Sequence, residues 1–459
     1  MPAFLLVASL VPALAGPAQE IAMELEALSS PPKVALGCST LREAIGFADS
    51  MGSFAGRNTP PQLQSLLAAA RDPNAEASHG IDLDRSFLVV LGEEANIARL
   101  PIRGGLDDAI ALFSQPEAPE WSIDGDRAVR IESDGKRSVL TVLEGHARIY
   151  TGPSPDPTRT QPTNATSSLA ALPDSDGCAM WMHAGDDPKA PELLRHPVSM
   201  WMPFEQGAPA ELRVQLPPHR DRAAQPTITP PLAVSSPARP VAVVTLGTPP
   251  ARILRDPIVM QAIPDQMRSA LPANSPLEDA GAGSVAAIFL DGPAPAIVAA
   301  VPITSPRGRP VSARRIVKVV DQLIAEGTLG RLGVRSEVVD RFTTQFQLPN
   351  GMGFMMRAER GRIYIGNSPA HVMGAAEGLG EPWLDDAGLA WASTHALTLT
   401  GEGPLPGLSG PMRAQLGAGT EGDLLTIQIR LEPGLRDPRV AAALQAMAAR
   451  KTKGRDSTR

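Results

Sequence analysis

Along most of the chain, apolar positions alternate with polar ones in short runs, and Gly, Pro, Asn and Asp separate the runs. Period-two alternation bounded by turn residues marks half-buried strands. The pattern predicts strands at Val34–Leu36, Phe87–Leu91, Ile97–Ile102, Ala128–Ile131, Val139–Leu143, Ala147–Tyr150, Ala179–Met182 and Leu212–Leu216. Ser133-Asp134-Gly135 and Glu144-Gly145 supply the turns of a meander. Helical spacing occurs in Thr40–Phe54, in Pro60–Arg71 behind a Thr59 cap, and in Leu106–Phe113, where Leu106, Ile110 and Phe113 share a face.

The second half repeats the style. Ser312–Glu326 carries Ile316, Val319, Val320 and Leu323 along one helix face. A hairpin runs through Thr343–Leu348, Asn350-Gly351 and Gly353–Arg357 into a strand at Arg362–Ile365, and 436–450 reads as a last amphipathic helix. Strands joined by tight turns with helices between them imply antiparallel sheets covered by helices, the α+β class.

The two tyrosines sit in one repeated phrase, Ala147-Arg148-Ile149-Tyr150-Thr151-Gly152-Pro153-Ser154-Pro155 and Gly361-Arg362-Ile363-Tyr364-Ile365-Gly366-Asn367-Ser368-Pro369. Other echoes follow in the same order. Val34–Gly37 matches Val244–Gly247, Ile97–Ile102 matches Val298–Ile303, and Leu212–Pro217 matches Ile427–Glu432. The expectation is two tandem copies of an antiparallel-sheet module with helices packed on the sheets. Residues 1–15 read as a signal peptide, 16–216 as the first module, 217–240 as a Pro-rich extended linker, 241–435 as the second module, and 436–459 as a helix with a basic tail.

The apolar stretch at the N-terminus ends in Ala13-Leu14-Ala15, a small-x-small cleavage pattern, although no Lys or Arg precedes Lys33. No later run is long enough to span a bilayer as a helix. The chain has two cysteines, Cys38 and Cys178, and a disulfide between them suits an oxidising compartment; two separate buried thiols are the alternative. The expected location is periplasmic or secreted. A net charge of -7 and 4% aromatic residues argue against a nucleic-acid partner.

Motifs that carry chemistry are few. Gly417-Ala418-Gly419-Thr420-Glu421-Gly422 fits G-x-G-x-x-G, but a strand pattern follows it where a dinucleotide site needs a helix, so a flexible turn is expected. Ser30 and Lys33 fit S-x-x-K, yet Pro31 and Pro32 disfavour the helical turn that would join them. Asp174 and Asp176 resemble the start of a calcium loop that lacks its later ligands. His183 and His395 each precede Ala in corresponding segments and are candidate metal ligands, against unrelated strand-end histidines. Trp181, Met182, Trp201 and Met202 lie in Met-Trp-Met phrases that read either as a binding surface or as core filling. No cofactor is implied.

Gly80-Ile81-Asp82-Leu83-Asp84 before a strand, then Arg99-Leu100-Pro101-Ile102 leading into a helix with Asp107-Asp108, resembles secreted proteins of high-GC bacteria built from duplicated α+β modules. The resemblance covers Pro31–Gly152 and more faintly the second half. It implies the modular fold and brings no catalytic residues. The expected function is a non-enzymatic exported binding or scaffold protein of the bacterial cell envelope, whose partner is an envelope protein or ligand. The rival is a hydrolase or metal-dependent enzyme with a site assembled between the copies. A third expectation is an inhibitor or chaperone-like protein acting through the Met/Trp strands.

Overall fold

The computed structural model describes residues 16–26, 32–45, 80–92, 95–114, 119–152, 169, 172–173, 175–185, 195–205, 208–216, 228–249, 281–292, 294–303, 309–326, 333–349, 351–404, 411–421 and 423–432. The helices expected at 60–71 and 436–450 and the cleavable segment at 1–15 lie outside them, as does all but residues 40–45 of the helix expected at 40–54. The chain divides into two compact units: residues 1–218 with 405–410 and 423–459, and residues 219–404 with 411–422.

Unit 1 opens with helix α1 (Pro17–Glu26), an element that was not among the predicted ones. Pro17 takes the first helical position, where its missing N–H is not needed. Ala18, Ile21 and Leu25 are buried, with Ala22 beside them, at the spacing of one helix face. The strands follow as β1 (Pro32–Cys38), β2 (Phe87–Gly92), β3 (Asn96–Pro101), helix α2 (Leu106–Phe113), β4 (Ser122–Asp124), β5 (Arg127–Ile131), β6 (Arg137–Leu143), β7 (His146–Gly152), β8 (Gly177–Met182), β9 (Val198–Pro203) and β10 (Ala210–Gln215). Pairing gives the order β4-β5-β6-β7-β3-β2-β1-β8-β9-β10, antiparallel throughout. The core on one face gathers α1, Leu88, Val90, Ile97, Tyr150, Trp181 and Trp201. On the other face α2 covers Ala128, Leu140 and Ala147 through Ala109, Leu106 and Ile110.

Unit 2 contains β11 (Ser235–Ser236), β12 (Ala242–Leu246), β13 (Ser284–Phe289), β14 (Ala296–Pro302), helix α3 (Ala313–Glu326), β15 (Arg335–Asp340), β16 (Thr343–Gln347), β17 (Gly353–Glu359), β18 (Arg362–Gly366), helix α4 (Pro369–Glu377), β19 (Glu381–Pro382), helix α5 (Asp386–Ala392), β20 (Leu397–Pro404) and β21 (Pro411–Glu421). Its sheet runs β15-β16-β17-β18-β14-β13-β12-β20-β21, again antiparallel, and β11 pairs with β19 apart from it. Val243, Val285, Phe289, Val298, Tyr364, Val372 and Trp383 form the core on one face, and Ile316, Val317, Phe346 and Met356 form another beneath α3. Thus the described residues are mostly antiparallel sheet with few helices.

Two boundaries differ from the sequence reading. Residues 228–240 do not behave as a free extended linker. Val234 is buried, Leu232 and Ala238 pack on the same core, and Thr229 and Leu232 N–H donate to Gly247 and Gly283 carbonyls. Proline density marked an extended backbone, but the apolar residues between the prolines find the sheet. The last described strand, β22 (Leu424–Glu432), pairs with β10 and so belongs to unit 1, with Leu212 opposite Ile427. Gln428 Nε2 donates to the buried Glu211 Oε2 at 2.9 Å across that pair.

Two acid–base contacts, one half-buried and one buried, fasten α1 to its sheet. Glu24 accepts two bonds from Arg148 at 3.0 and 2.8 Å, and Glu20 lies 3.6 Å from Arg99. Glu20 is 5% exposed, and burial pushes its carboxyl above the usual range despite the Arg99 charge. A raised acid favours the folded state below the ordinary carboxylate value of about 4.3 and loses that contribution as pH rises through the folded value. Urea midpoints taken from pH 4 upward should therefore fall for the wild type relative to Glu20→Gln; parallel pH profiles would contradict it. The Cys38–Cys178 bridge spans 140 residues. Cys38→Ser with Cys178→Ser should lower unfolding free energy by about 5 kcal/mol in the chain-entropy limit, read by the same titration.

Candidate functional site

Cys38 on β1 and Cys178 on β8 face each other in register and are bridged, with Leu36, Ala44, Phe87 and Phe204 packed around them. The strand pleat then decides the fate of the Met-Trp-Met phrases. On β8, Met180 and Met182 share the Cys178 face, and Trp181 points the opposite way. On β9, Met200 and Met202 lie opposite Met180 and Cys178, while Trp201 lies opposite Ala179. Trp181 and Trp201 are 2% and 1% exposed and fill the core against α1. A binding surface through the tryptophans is thereby corrected to core packing, because an indole sealed under a helix cannot meet a partner. Met182 and Met202 are half-buried on the other face.

The candidate metal ligands are not gathered. His183 lies in unit 1, with Nε2 at 3.1 Å from the Arg195 carbonyl and its ring edge-on to Trp181. His395 lies buried in unit 2, with Nδ1 2.9 Å from both the Trp391 carbonyl and Thr394 Oγ1, and its ring 4.4 Å from the Trp391 ring. Asp174 falls outside the described residues. Asp176 serves through its carbonyl, which accepts Phe204 N–H. Among the described residues no three His, Cys, Asp or Glu side chains group as a metal site. Lys33 sits on the extended strand β1, away from any helical turn.

The G-x-G-x-x-G stretch is also corrected. Gly417 to Glu421 continue β21 instead of forming a turn, and Gly417 pairs with Thr398. Its small size has a packing cause: a Cβ there would clash with the His395 ring, 2.4 Å from Cδ2 and 2.6 Å from Nε2.

Two arrangements escaped the sequence reading. The first joins Ser368, His371 and Asp291. Ser368 precedes α4 and makes no side-chain cap to its backbone. Its hydroxyl instead lies 2.7 Å from His371 Nδ1, one helical turn on, and His371 Nε2 lies 3.1 Å from both Asp291 carboxylate oxygens. The ring packs 4.5 Å from Phe289. With the proton on Nε2, Ser368 O–H donates to the imidazole and the imidazole donates to Asp291. This is a hydroxyl hydrogen-bonded to a base that a carboxylate orients, although Nδ1 faces the hydroxyl, as suits residues three apart at a helix start. The S-x-x-H spacing was legible, but Asp291, in the β13–β14 turn, reaches it only because β14 pairs with β18, the strand that leads into α4.

The second is an open cavity of about 790 Å³ in unit 2, lined by Pro310, Ser312, Ala313, Arg314, Arg341, Phe342, Arg357, Ala358, Glu359 and Arg360. Arg341 lies over the Phe342 ring at 4.6 Å. Arg357 Nη1 donates to Thr343 Oγ1 at 3.1 Å and lies 3.6 Å from Asp340, while its Nε stands 4.0 Å from Glu359. The Phe342 amide, the Thr343 hydroxyl and Arg357 hold the Asp340 carboxyl below the usual range. A smaller cleft of about 190 Å³ beside Trp383 is neutralised by the Arg239–Glu402 and Arg413–Asp385 pairs.

No protein-family model matches the chain, and no curated protein matches it. Among solved structures, crystal form I of TP0453 is similar over 43% of this chain and 79% of its own, at 11% identity and a TM-score of 0.25. Crystal form III gives 42%, 78%, 9% and 0.23. Scores at this level carry no functional argument. Among the described residues no helix is long and apolar enough to cross a membrane.

The Gly417 packing is testable: Gly417→Ala should lower stability by about 1–3 kcal/mol, as overpacked cores do, and a melting curve matching the wild type would reject the contact.

Proposed function

We propose that the chain is an exported, non-enzymatic binding protein of the bacterial cell envelope, built from two copies of one sheet-and-helix module. The observation that carries this reading is the Cys38–Cys178 bridge, buried between β1 and β8 in unit 1. Such a bridge forms and persists where thiols are oxidised. The small-x-small pattern at Ala13–Ala15 supports the same location, because a cut there leaves α1 and every strand of unit 1 intact.

Duplication is supported by connectivity. Strand for strand, the order of β1–β9 in unit 1 matches that of β12–β18, β20 and β21 in unit 2, with α2 and α3 each following the third strand. The repeated Arg-Ile-Tyr phrase falls on β7 and β18, whose Tyr150 and Tyr364 are both buried. The β10–β22 pair centres on Leu212 and Ile427, residues that match in the sequence repeat. It is the pairing a segment makes with a second copy of itself.

Binding is supported by the arginine-lined cavity. The test is an intact mass of the protein taken from its host's extracytoplasmic fraction. The expected mass lacks residues 1–15 and two hydrogens; a full-length mass with both thiols free would overturn the reading.

The Ser368–His371–Asp291 contact favours one second reading, a hydrolase. Ser368 Oγ would attack an ester carbonyl, its proton passing to His371 Nδ1 while Asp291 stabilises the imidazolium; that proton would then go to the departing alkoxide as the ester C–O bond breaks, and water would release the acid from Ser368. A fluorophosphonate probe that labels the wild type and not Ser368→Ala would establish it. Equal absence of label in both keeps the non-enzymatic reading.

A further inference from the structure

We propose that the arginine-lined cavity of unit 2 binds an organic phosphate, a phosphate ester of small-molecule size; this deepens the binding reading and rests on it. Three stretches distant in sequence converge there: the start of α3, the β15–β16 turn and the end of β17 with its turn. They bring four guanidinium groups and one carboxylate, Glu359. Surfaces shaped for solubility alone intersperse the two signs, whereas this one concentrates positive charge in a concavity. Arg314, Arg341 and Arg360 are exposed and make no ion pair among the described residues.

The start of α3 strengthens the same field. Its first turn holds no acid and carries Arg314 and Arg315. A helix favours anions at this end and disfavours cations. In unit 1, α2 follows its third strand as α3 does and has the opposite choice: Asp107 and Asp108 occupy the first turn, and Asp108 Oδ2 accepts Gly105 N–H at 2.9 Å. The topology therefore does not require arginines beside the helix start. A bound anion would remove the conflict that they create.

The walls are built by backbone contacts. Gly361 has φ 74, its N–H donates to the Val311 carbonyl and its carbonyl accepts Ile303 N–H, both at 2.8 Å. A Cβ at Gly361 would approach Pro310 Cβ to 2.8 Å, so the turn can press against the start of α3 only as glycine. Arg357 is fixed by Thr343 and Asp340, and Arg341 is laid on Phe342. These two guanidiniums are oriented before any ligand arrives, which reduces the entropy lost on binding. Guanidinium forks match the several oxygens of a phosphate bidentately, and one carboxylate engages a single fork. The open cavity of about 790 Å³ exceeds what a bare phosphate fills and leaves room for an organic substituent.

The ester is either soluble or a lipid headgroup, and two arms of one experiment separate them. The bridged full chain is titrated calorimetrically with glycerol 3-phosphate, and sedimented with phosphatidylglycerol vesicles against phosphatidylcholine vesicles. At least one phosphate-bearing probe should bind saturably, weaken with added salt, and weaken about tenfold or more in Arg341→Gln with Arg360→Gln. Arg335→Gln, an exposed position on β15 outside the cavity, should bind as the wild type. Glycerol 3-phosphate binding without sedimentation assigns a soluble ester; sedimentation lost in the double variant assigns a headgroup. Arg314→Gln serves as a second variant should the double one melt early. Absence of binding to both probes, or cavity variants that bind as the wild type, would overturn the proposal. An exported, bridged chain that binds neither probe would leave the exported reading standing without this site.

Discussion

The structure depends on closing long loops between strands that are neighbours in space and remote in sequence. In unit 1, β1 must find β8 across 140 residues, and in unit 2, β12 must find β20 with Thr245 and Thr398 in register. Such closures are entropically unfavourable before any contact rewards them. Each unit offsets the loss differently. Unit 1 has a covalent bond at Cys38–Cys178 and two buried indoles beneath α1. Unit 2 has a 2.7 Å hydroxyl contact between Thr245 and Thr398, with Phe289, Trp383 and Tyr364 packed nearby on the same face of the sheet or beneath its helices. The remaining strands add outward from these closures by short turns.

Once the sheets exist, charge distinguishes them. Unit 1 spends its prominent acids and bases on internal joins: Glu24 with Arg148, Glu20 near Arg99, and Asp108 at the start of α2. Unit 2 pairs Arg239 with Glu402 and Arg413 with Asp385, yet leaves Arg314, Arg341 and Arg360 around one concavity. Equivalent positions in a shared topology thus carry a sealed helix start in one unit and an open basic one in the other. A fold by itself does not specify what it binds, and the two units differ in what they hold at that helix start.

The Ser368–His371–Asp291 contact shows how much chemistry a packing solution can resemble. His371 lies against Phe289, and its two ring nitrogens find the helix-start hydroxyl and a loop carboxylate. The same bonds that would activate a nucleophile also order the start of α4 and tie it to the end of β13.

The sequence by itself determined the local grammar. Period-two runs and Gly-bearing turns marked the meander β5–β7 and the strands β16–β18 nearly residue for residue, and helical spacing marked α2 and α3. Two cysteines left one possible intramolecular pair, and the repeated tyrosine phrase landed on β7 and β18. Only the tertiary structure decided faces, neighbours and convergence. Alternation puts Trp181 and Met182 on opposite faces without saying which is sealed, and α1, which settles it, lies about 160 residues away in the chain. The G-x-G-x-x-G stretch became strand because β20 and His395 offered it a partner, and β22 joined β10 because an open edge pairs with whatever complementary edge reaches it. The arginine cavity draws on residues near 312, 341 and 358, and a local pattern holds no term for contacts between segments that far apart.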